Sequence, residues 1–238
     1  MFKTIRWFSH FWLSLIGLMA SLKTVDKMLE EGKIKERDEI ANKTARDWAR
    51  GLIDLSGCKI NVVNEELIPK DQAVLFVGNH QGNFDIPILL GYLQKDKGFV
   101  AKIELKKLPM INRWMEHISC IFLDRDDPRQ SVKTINEGAK LLKSGYSLVI
   151  FPEGTRSKDG ELGEFKAGAM KLASKAEVPI VPVTIRGSKD IMKKGSLMIK
   201  AADVDVIIGE IVNPLDYEKD TKKITEAVRN IIEKNLKS

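Results

Sequence analysis

Cysteine is nearly missing from this 238-residue chain: Cys58 and Cys120 are the only two, each among apolar neighbours and neither in a CxxC or His-rich stretch. That excludes a disulfide framework and a structural zinc site, and it fits a reducing compartment. No run reaches the roughly 18 to 20 uninterrupted apolar residues of a spanning helix. Trp7 to Ala20 comes nearest and is broken by Ser9, His10 and Ser14. The G-x-S-x-G elbow, the Walker loop, G-x-G-x-x-G and HExxH are all absent. A serine acyl-enzyme, a P-loop nucleotide site and a nicotinamide Rossmann site are therefore disfavoured.

What is present is a chain able to bury one substantial core, with 43% hydrophobic and 30% charged residues. Lysine and arginine outnumber aspartate and glutamate by 39 to 33, a formal +6. The excess favours an anionic partner without choosing among phosphate, membrane surface and nucleic acid.

The first segment has basic Lys3 and Arg6 followed by Phe8, Phe11, Trp12, Leu13, Leu15, Ile16, Leu18 and Met19. It resembles a signal peptide only superficially, because Leu18 is too large for the cleavage rule and a charged helical stretch follows. The expectation is a retained interfacial helix with Trp and Phe at the headgroup boundary. The alternative is a helix whose apolar stripe packs on its own domain. From Asp26 to about Leu55, Ile40, Ala41, Ala45, Trp48, Ala49 and Leu52 recur at helical spacing and predict a second amphipathic helix, its start weakened by Gly32. Residues 1–56 thus read as a two-helix membrane-associating unit ahead of an α/β domain at 57–238.

After Gly57, short apolar runs alternate with helical stretches. Strands are predicted at Lys59 to Val63, Ala73 to Gly78, Gly98 to Lys102, Ile118 to Leu123, Tyr146 to Phe151, Ile180 to Arg186, Leu197 to Ala201 and Asp203 to Val212. Helices are predicted near 84–93, 104–116 with a break at Pro109, 129–143, 165–176 and 220–236. Asp127, Pro128 and Gln130 make a capped helix start. The fold class is α/β, with a mostly parallel or mixed central sheet flanked by helices.

In such a sheet the ligand crevice lies beyond the carboxyl ends of the strands. One strand end leads into Gly78-Asn79-His80-Gln81-Gly82-Asn83-Phe84-Asp85. On a regular helix a spacing of five separates His80 and Asp85 by about 140°, yet a loop-to-helix turn can fold the imidazole back over the carboxylate. The aspartate would then fix the tautomer and leave the second ring nitrogen to accept a hydroxyl proton. A second strand end leads into Phe151-Pro152-Glu153-Gly154-Thr155-Arg156-Ser157, a turn suited to a phosphate, with Glu153 placed to hold the Arg156 rotamer. A third leads into Asp124-Arg125-Asp126-Asp127, and Lys102 closes a fourth. Each also reads as an ordinary polar turn or a solvated cation. Asp203-Val204-Asp205 falls in an alternating strand and reads as two solvent-facing carboxylates, not a metal site.

Four stretches taken in order resemble the signature blocks of the glycerolipid acyltransferase family, in particular its bacterial branch that acylates 1-acyl-sn-glycerol 3-phosphate. They are Asn79 to Asp85, Ile121 to Arg125, Phe151 to Ser157, and Val178-Pro179-Ile180-Val181-Pro182-Val183. The resemblance spans roughly residues 57–215 and does not extend convincingly to 1–50. At Gly82 or Asn83 the family often has serine, a mild departure. The resemblance implies His80 as general base and Asp85 as its orienting partner, with Glu153, Gly154, Thr155 and Arg156 binding the acceptor. It further implies that Arg125 and Lys102 assist at the phosphate and that Pro179 and Pro182 shape the acyl-donor side. An acyl-CoA or acyl carrier protein thioester would be the co-substrate, lysophosphatidic acid the acceptor, and no cofactor or metal is implied. The N-terminal unit and basic excess would then meet an anionic membrane surface on the cytoplasmic face.

Three rivals remain open. One is acylation of glycerol 3-phosphate or another lysophospholipid with the same base; another is a non-enzymatic lipid-binding protein in which His80 is structural. Nucleic-acid binding is the third, disfavoured because the cations are scattered over strand ends without a basic helix or an aromatic-interleaved sheet.

Overall fold

The computed structural model describes residues 1–157 and 161–238. Its strands are β1 (Lys59–Val63), β2 (Leu75–Gly78), β3 (Lys97–Lys102), β4 (Ile121–Leu123), β5 (Ser147–Ile150), β6 (Ile180–Arg186) and β7 (Asp203–Ile208). They form one sheet of order β1-β7-β6-β2-β5-β3-β4. From β6 to β4 all neighbours are parallel, while β7 runs antiparallel to β6 and carries β1 parallel to itself. The sheet is therefore mixed. Leu75-Phe76-Val77 and Leu148-Val149-Ile150 are continuous apolar runs because β2 and β5 are covered on both faces. On β2 the pleat sends Phe76 into one core cluster and Leu75 and Val77 into the other.

Around the sheet lie α1 (Phe2–Gly17), α2 (Met19–Glu30), α3 (Ile34–Ser56), α4 (Asp85–Tyr92), α5 (Ile111–His117), α6 (Pro128–Lys143), α7 (Lys171–Ala176) and α8 (Thr221–Lys237). The core on the Phe76 face is shared with α1 to α5, and that on the Leu75 face with α6 to α8. Asp127 caps α6 by accepting the Arg129 and Gln130 amides at 2.8 and 3.2 Å, with Pro128 at the first helical position. Pro109 separates a 3-10 turn at Ile103–Lys107 from α5, and the region predicted as a helix from 165 starts as another 3-10 turn, Ala167–Met170.

Two expectations need correction. Leu197 to Ala201 is not a strand: its amides are taken outside any sheet ladder, Lys200 bonding the Ile191 carbonyl at 2.9 Å and Ile199 the Thr4 hydroxyl at 3.1 Å. The second helix does not begin at Asp26 either. Leu22 and Val25 continue the buried stripe of the apolar arm, which bends at Leu18 and stops where Gly32 adopts φ +71°. The charged helix starts only at Ile34.

The apolar arm has two faces. Trp7 is buried, its indole N–H donating to the Leu52 carbonyl at 2.8 Å and its ring packed 5.2 Å from Phe84. Phe2, Ile5, Leu13, Ile16 and Met19 point outward and are exposed. One stripe of this segment is thus packed on the α/β core, and the other is unpartnered. Phe2–Glu30 is long and apolar enough to cross a membrane by length and composition. Asp26 fastens the arm to α5, accepting from Arg113 at 2.6 Å and from His117 Nε2 at 2.9 Å.

Candidate active site

Parallel neighbours deliver their carboxyl ends to the same sheet edge, so the loops after β5, β2 and β6 meet there side by side. The loop after β2 turns at Gly82, whose carbonyl accepts the Asp85 amide at 3.2 Å, and then enters α4 with Pro87 in its first turn. That turn folds His80 over Asp85. The imidazole Nδ1 lies 2.7 Å from Asp85 Oδ2.

Asp85 is fully buried, and its charge is met from several directions. Oδ2 also accepts the backbone amides of Gln81 and Gly82 at 2.6 and 2.9 Å, and Oδ1 accepts the Ser188 hydroxyl. A carboxylate surrounded by donors acts as acceptor toward the ring as well, so Nδ1 carries the hydrogen and Nε2 is left as the basic nitrogen. His80 stacks on Phe151 at 4.3 Å between centroids, with 17° between the planes, which fixes the ring against rotation.

Glu153 is a cross-brace between loops. Its two oxygens accept the amides of His80 at 2.8 Å and Gly163 at 2.9 Å. Burial pushes its carboxyl above the usual carboxylate range, opposed by those two amide bonds. Glu153 does not hold Arg156, as the sequence reading expected; Arg156 Nη1 instead donates to Asn83 Oδ1 at 3.0 Å, because both Glu153 oxygens are spent on backbone. Gly154 takes φ +72°, and a Cβ there would stand 3.4 Å from Lys166 Nζ. Arg125 donates to the Gly154 carbonyl, and the Ser157 amide reaches the His80 carbonyl at 2.7 Å, so three strand-end loops are laced together.

These groups line a cavity of about 1620 Å³. Its polar lining includes His80, Arg125, Thr155, Arg156, Lys166 and Lys102, the last paired with exposed Glu104, together with Glu153, Glu161 and Glu164. Its apolar lining includes Trp48 and Leu52 of α3, Phe11 and Leu15 of α1, and Trp114 and Met115 of α5. Cationic groups beside His80 and an extensive apolar wall, the gallery, in one cavity fit a molecule with an anionic head and a hydrocarbon tail. Pro179 and Pro182, expected on the acyl-donor side, do not line it. The Pro179 carbonyl accepts from Leu75 and the Pro182 carbonyl from Gly209, so both serve the seams between β6 and its neighbours inside the sheet.

Sequence reasoning missed Ser188, Gln81, Phe151 and Asn83 as supports of the site. Gln81 Oε1 accepts the Gly187 amide at 3.1 Å, and Asn79 bonds both polar groups of the Ile185 backbone at 2.8 and 2.9 Å. The available signal was the strand-end rule applied once more, since Gly187-Ser188 directly follows β6.

A family model described as Acyltransferase matches residues 59–186. A Mycoplasma pneumoniae protein named "Probable 1-acyl-sn-glycerol-3-phosphate acyltransferase" is 34% identical over 231 residues, covering 92% of this chain and 85% of its own length. A chloroplastic 1-acyl-sn-glycerol-3-phosphate acyltransferase of Arabidopsis thaliana is 41% identical over 152 residues, 63% of this chain and 42% of the relative. The crystal structure of PlsC, a 1-acyl-sn-glycerophosphate acyltransferase from Thermotoga maritima, superposes with a TM-score of 0.87 at 25% identity, covering 99% of this chain and 94% of that one.

Proposed function

Because the chain belongs to the acyltransferase family, we propose that this enzyme moves a fatty acyl chain from a thioester to the free sn-2 hydroxyl of 1-acyl-sn-glycerol 3-phosphate, giving phosphatidic acid. The observation that carries the reading is the Nδ1 contact of His80 to buried Asp85 at 2.7 Å, in a cavity lined by both cationic and apolar side chains. The relatives' names supply the acceptor, and the gallery favours one that already bears an acyl chain over bare glycerol 3-phosphate.

In this mechanism the acceptor phosphate sits against Arg156, Arg125 and Lys166, which brings its hydroxyl to His80 Nε2. The imidazole takes the proton as the oxygen attacks the thioester carbonyl, and Asp85 stabilises the imidazolium that forms. Collapse of the tetrahedral intermediate expels the thiolate, which recovers the proton from His80. No covalent enzyme intermediate is needed. The proposed donor is acyl-CoA or acyl carrier protein and the proposed site of reaction the cytoplasmic face of the cell membrane; the outward stripe of α1 supports a membrane surface, where acceptor and product reside.

A radiolabelled thioester assay with lysophosphatidate tests this. His80→Ala should lower turnover by about 10²- to 10⁴-fold with an unchanged circular dichroism spectrum. Turnover within a few-fold of wild type would remove His80 from the chemistry.

A further inference from the structure

The segment that failed to form a strand, Ile191 to Lys200, has the architecture of a closed surface loop with a stiff base and an exposed tip. The base is shut by the Lys200 amide on the Ile191 carbonyl at 2.9 Å, and Ile191 and Ile199 are both buried beneath it. The tip is organised from within. Ser196 donates to the Lys193 carbonyl at 2.9 Å, its hydroxyl accepts the Met198 amide at 3.0 Å, and Gly195 turns the chain at φ +80°.

At this tip Leu197 and Met198 are 71% and 52% exposed, and Lys193 and Lys194 stand beside them without an ion pair among the described residues. Two isolated apolar side chains on a surface would mean nothing. These are not isolated, since the amide of Ile199, the residue after Met198, is bonded to Thr4 and so anchors this end of the loop to the first turn of α1, where Met1, Phe2 and Ile5 are exposed. The same loop reaches the other way, because Met192 and Lys194 line the cavity. Apolar tips flanked by unpaired lysines, next to an amphipathic helix end and a lipid-sized cavity, match the layering of a bilayer surface: hydrocarbon beyond, phosphates at the lysines.

We propose that the loop Ile191 to Lys200 is a second membrane-docking element, inserting Leu197 and Met198 beside the N-terminus of α1 while Lys193 and Lys194 meet anionic headgroups. It thereby holds the cavity mouth at the bilayer surface. The inference extends the proposed lipid acyl transfer, but its test is read without catalysis.

Full-length protein carrying His80→Ala is sedimented with vesicles of phosphatidylglycerol and phosphatidylcholine, alone and with Leu197→Asp/Met198→Asp added. Partitioning should weaken by about tenfold or more, and the milder Leu197→Ser/Met198→Ser pair should give an intermediate loss, with circular dichroism unchanged for both. In the active background, the aspartate pair should leave turnover of a dispersed short-chain lysophosphatidate at the wild-type level, since neither side chain lines the cavity. Partitioning within twofold of the parent overturns the proposal. So does retained partitioning with selective loss of acyl carrier protein-dependent turnover, which would make the tip a site for an acidic protein.

Discussion

The two ends of the central sheet each bury a charged residue, and they treat it in opposite ways. At the carboxyl end, Asp85 has no exposed surface and receives an imidazole, two amides and a hydroxyl drawn from the β2 loop and the β6 loop. At the amino end, Lys97 at the start of β3 is 3% exposed and, among the described residues, finds only the carbonyls of Leu93 and Lys95, at 3.0 and 2.7 Å. The carboxylate next to it in sequence, Asp96, is taken by Arg46 of α3. Burial accordingly lowers the Lys97 ammonium from 10.5 to about 7, whereas Asp85 sits where its carboxylate ties two loops together. The contrast teaches that burial alone does not make a functional site. What distinguishes the Asp85 end is convergence of donors from separate strands on one carboxylate, with a cavity above it.

Breaking that convergence outright should have the largest effect. Asp85→Asn keeps the shape but presents an amide that can no longer accept in the same pattern, so the ring loses its fixed tautomer. A fall in kcat of about 10²- to 10⁴-fold is expected, measured with thioester and lysophosphatidate under saturation. A value near wild type would mean that the ring needs no orienting carboxylate.

A subtler break is Ser188→Ala, which removes one donor to Asp85 from the neighbouring loop and nothing that lines the cavity. Turnover should drop by roughly three- to tenfold, the order of one typical net hydrogen bond, with KM for both substrates unchanged. The pH dependence of kcat should move, and Ser188→Thr should restore part of the loss. A change confined to thermal stability would reduce Ser188 to a packing residue.

Acting on the other end sharpens the comparison with the smallest effect on catalysis. Lys97→Met should leave turnover at the wild-type level and alter only how stability depends on pH. Because the folded-state value lies below the unfolded one, the unfolded chain binds more protons between pH about 7 and 10.5, and wild-type stability rises with pH across that window. The contribution is lost as pH falls through about 7. The Tm advantage of the methionine variant over wild type should thus be greatest below pH 7 and shrink toward pH 10.5, followed by thermal melts across that range. A constant difference at all pH values would show that Lys97 is charged in the fold throughout.

Much of the sheet was legible because its central strands are short apolar runs with turn residues at both ends, and β1 and β6 fall where the pattern places them. Leu197 to Ala201 misled because alternation and apolar content cannot say whether a neighbouring strand is there to pair with. The break at Gly32 was visible only as a weak helix residue; that the helix before it includes Asp26 depends on α5, where Arg113 and His117 wait for that carboxylate. At the site, His80, Asp85 and the Glu153 to Arg156 turn were readable from their positions at strand ends. The bond from Ser188, 103 residues away in sequence, left no local trace.

By itself, the sequence determined which segments are apolar enough to become buried strands, where caps and glycines end helices, and which loops carry titratable groups at the strand ends. These are local properties, fixed by side-chain chemistry within a few residues. Strand order was decided only in three dimensions. Placing β2 between β5 and β6 brings the imidazole, the guanidinium turn and the Ser188 hydroxyl together, and folding the apolar arm across that edge closes the gallery, since hydrogen bonds and burial reward proximity in space regardless of separation along the chain.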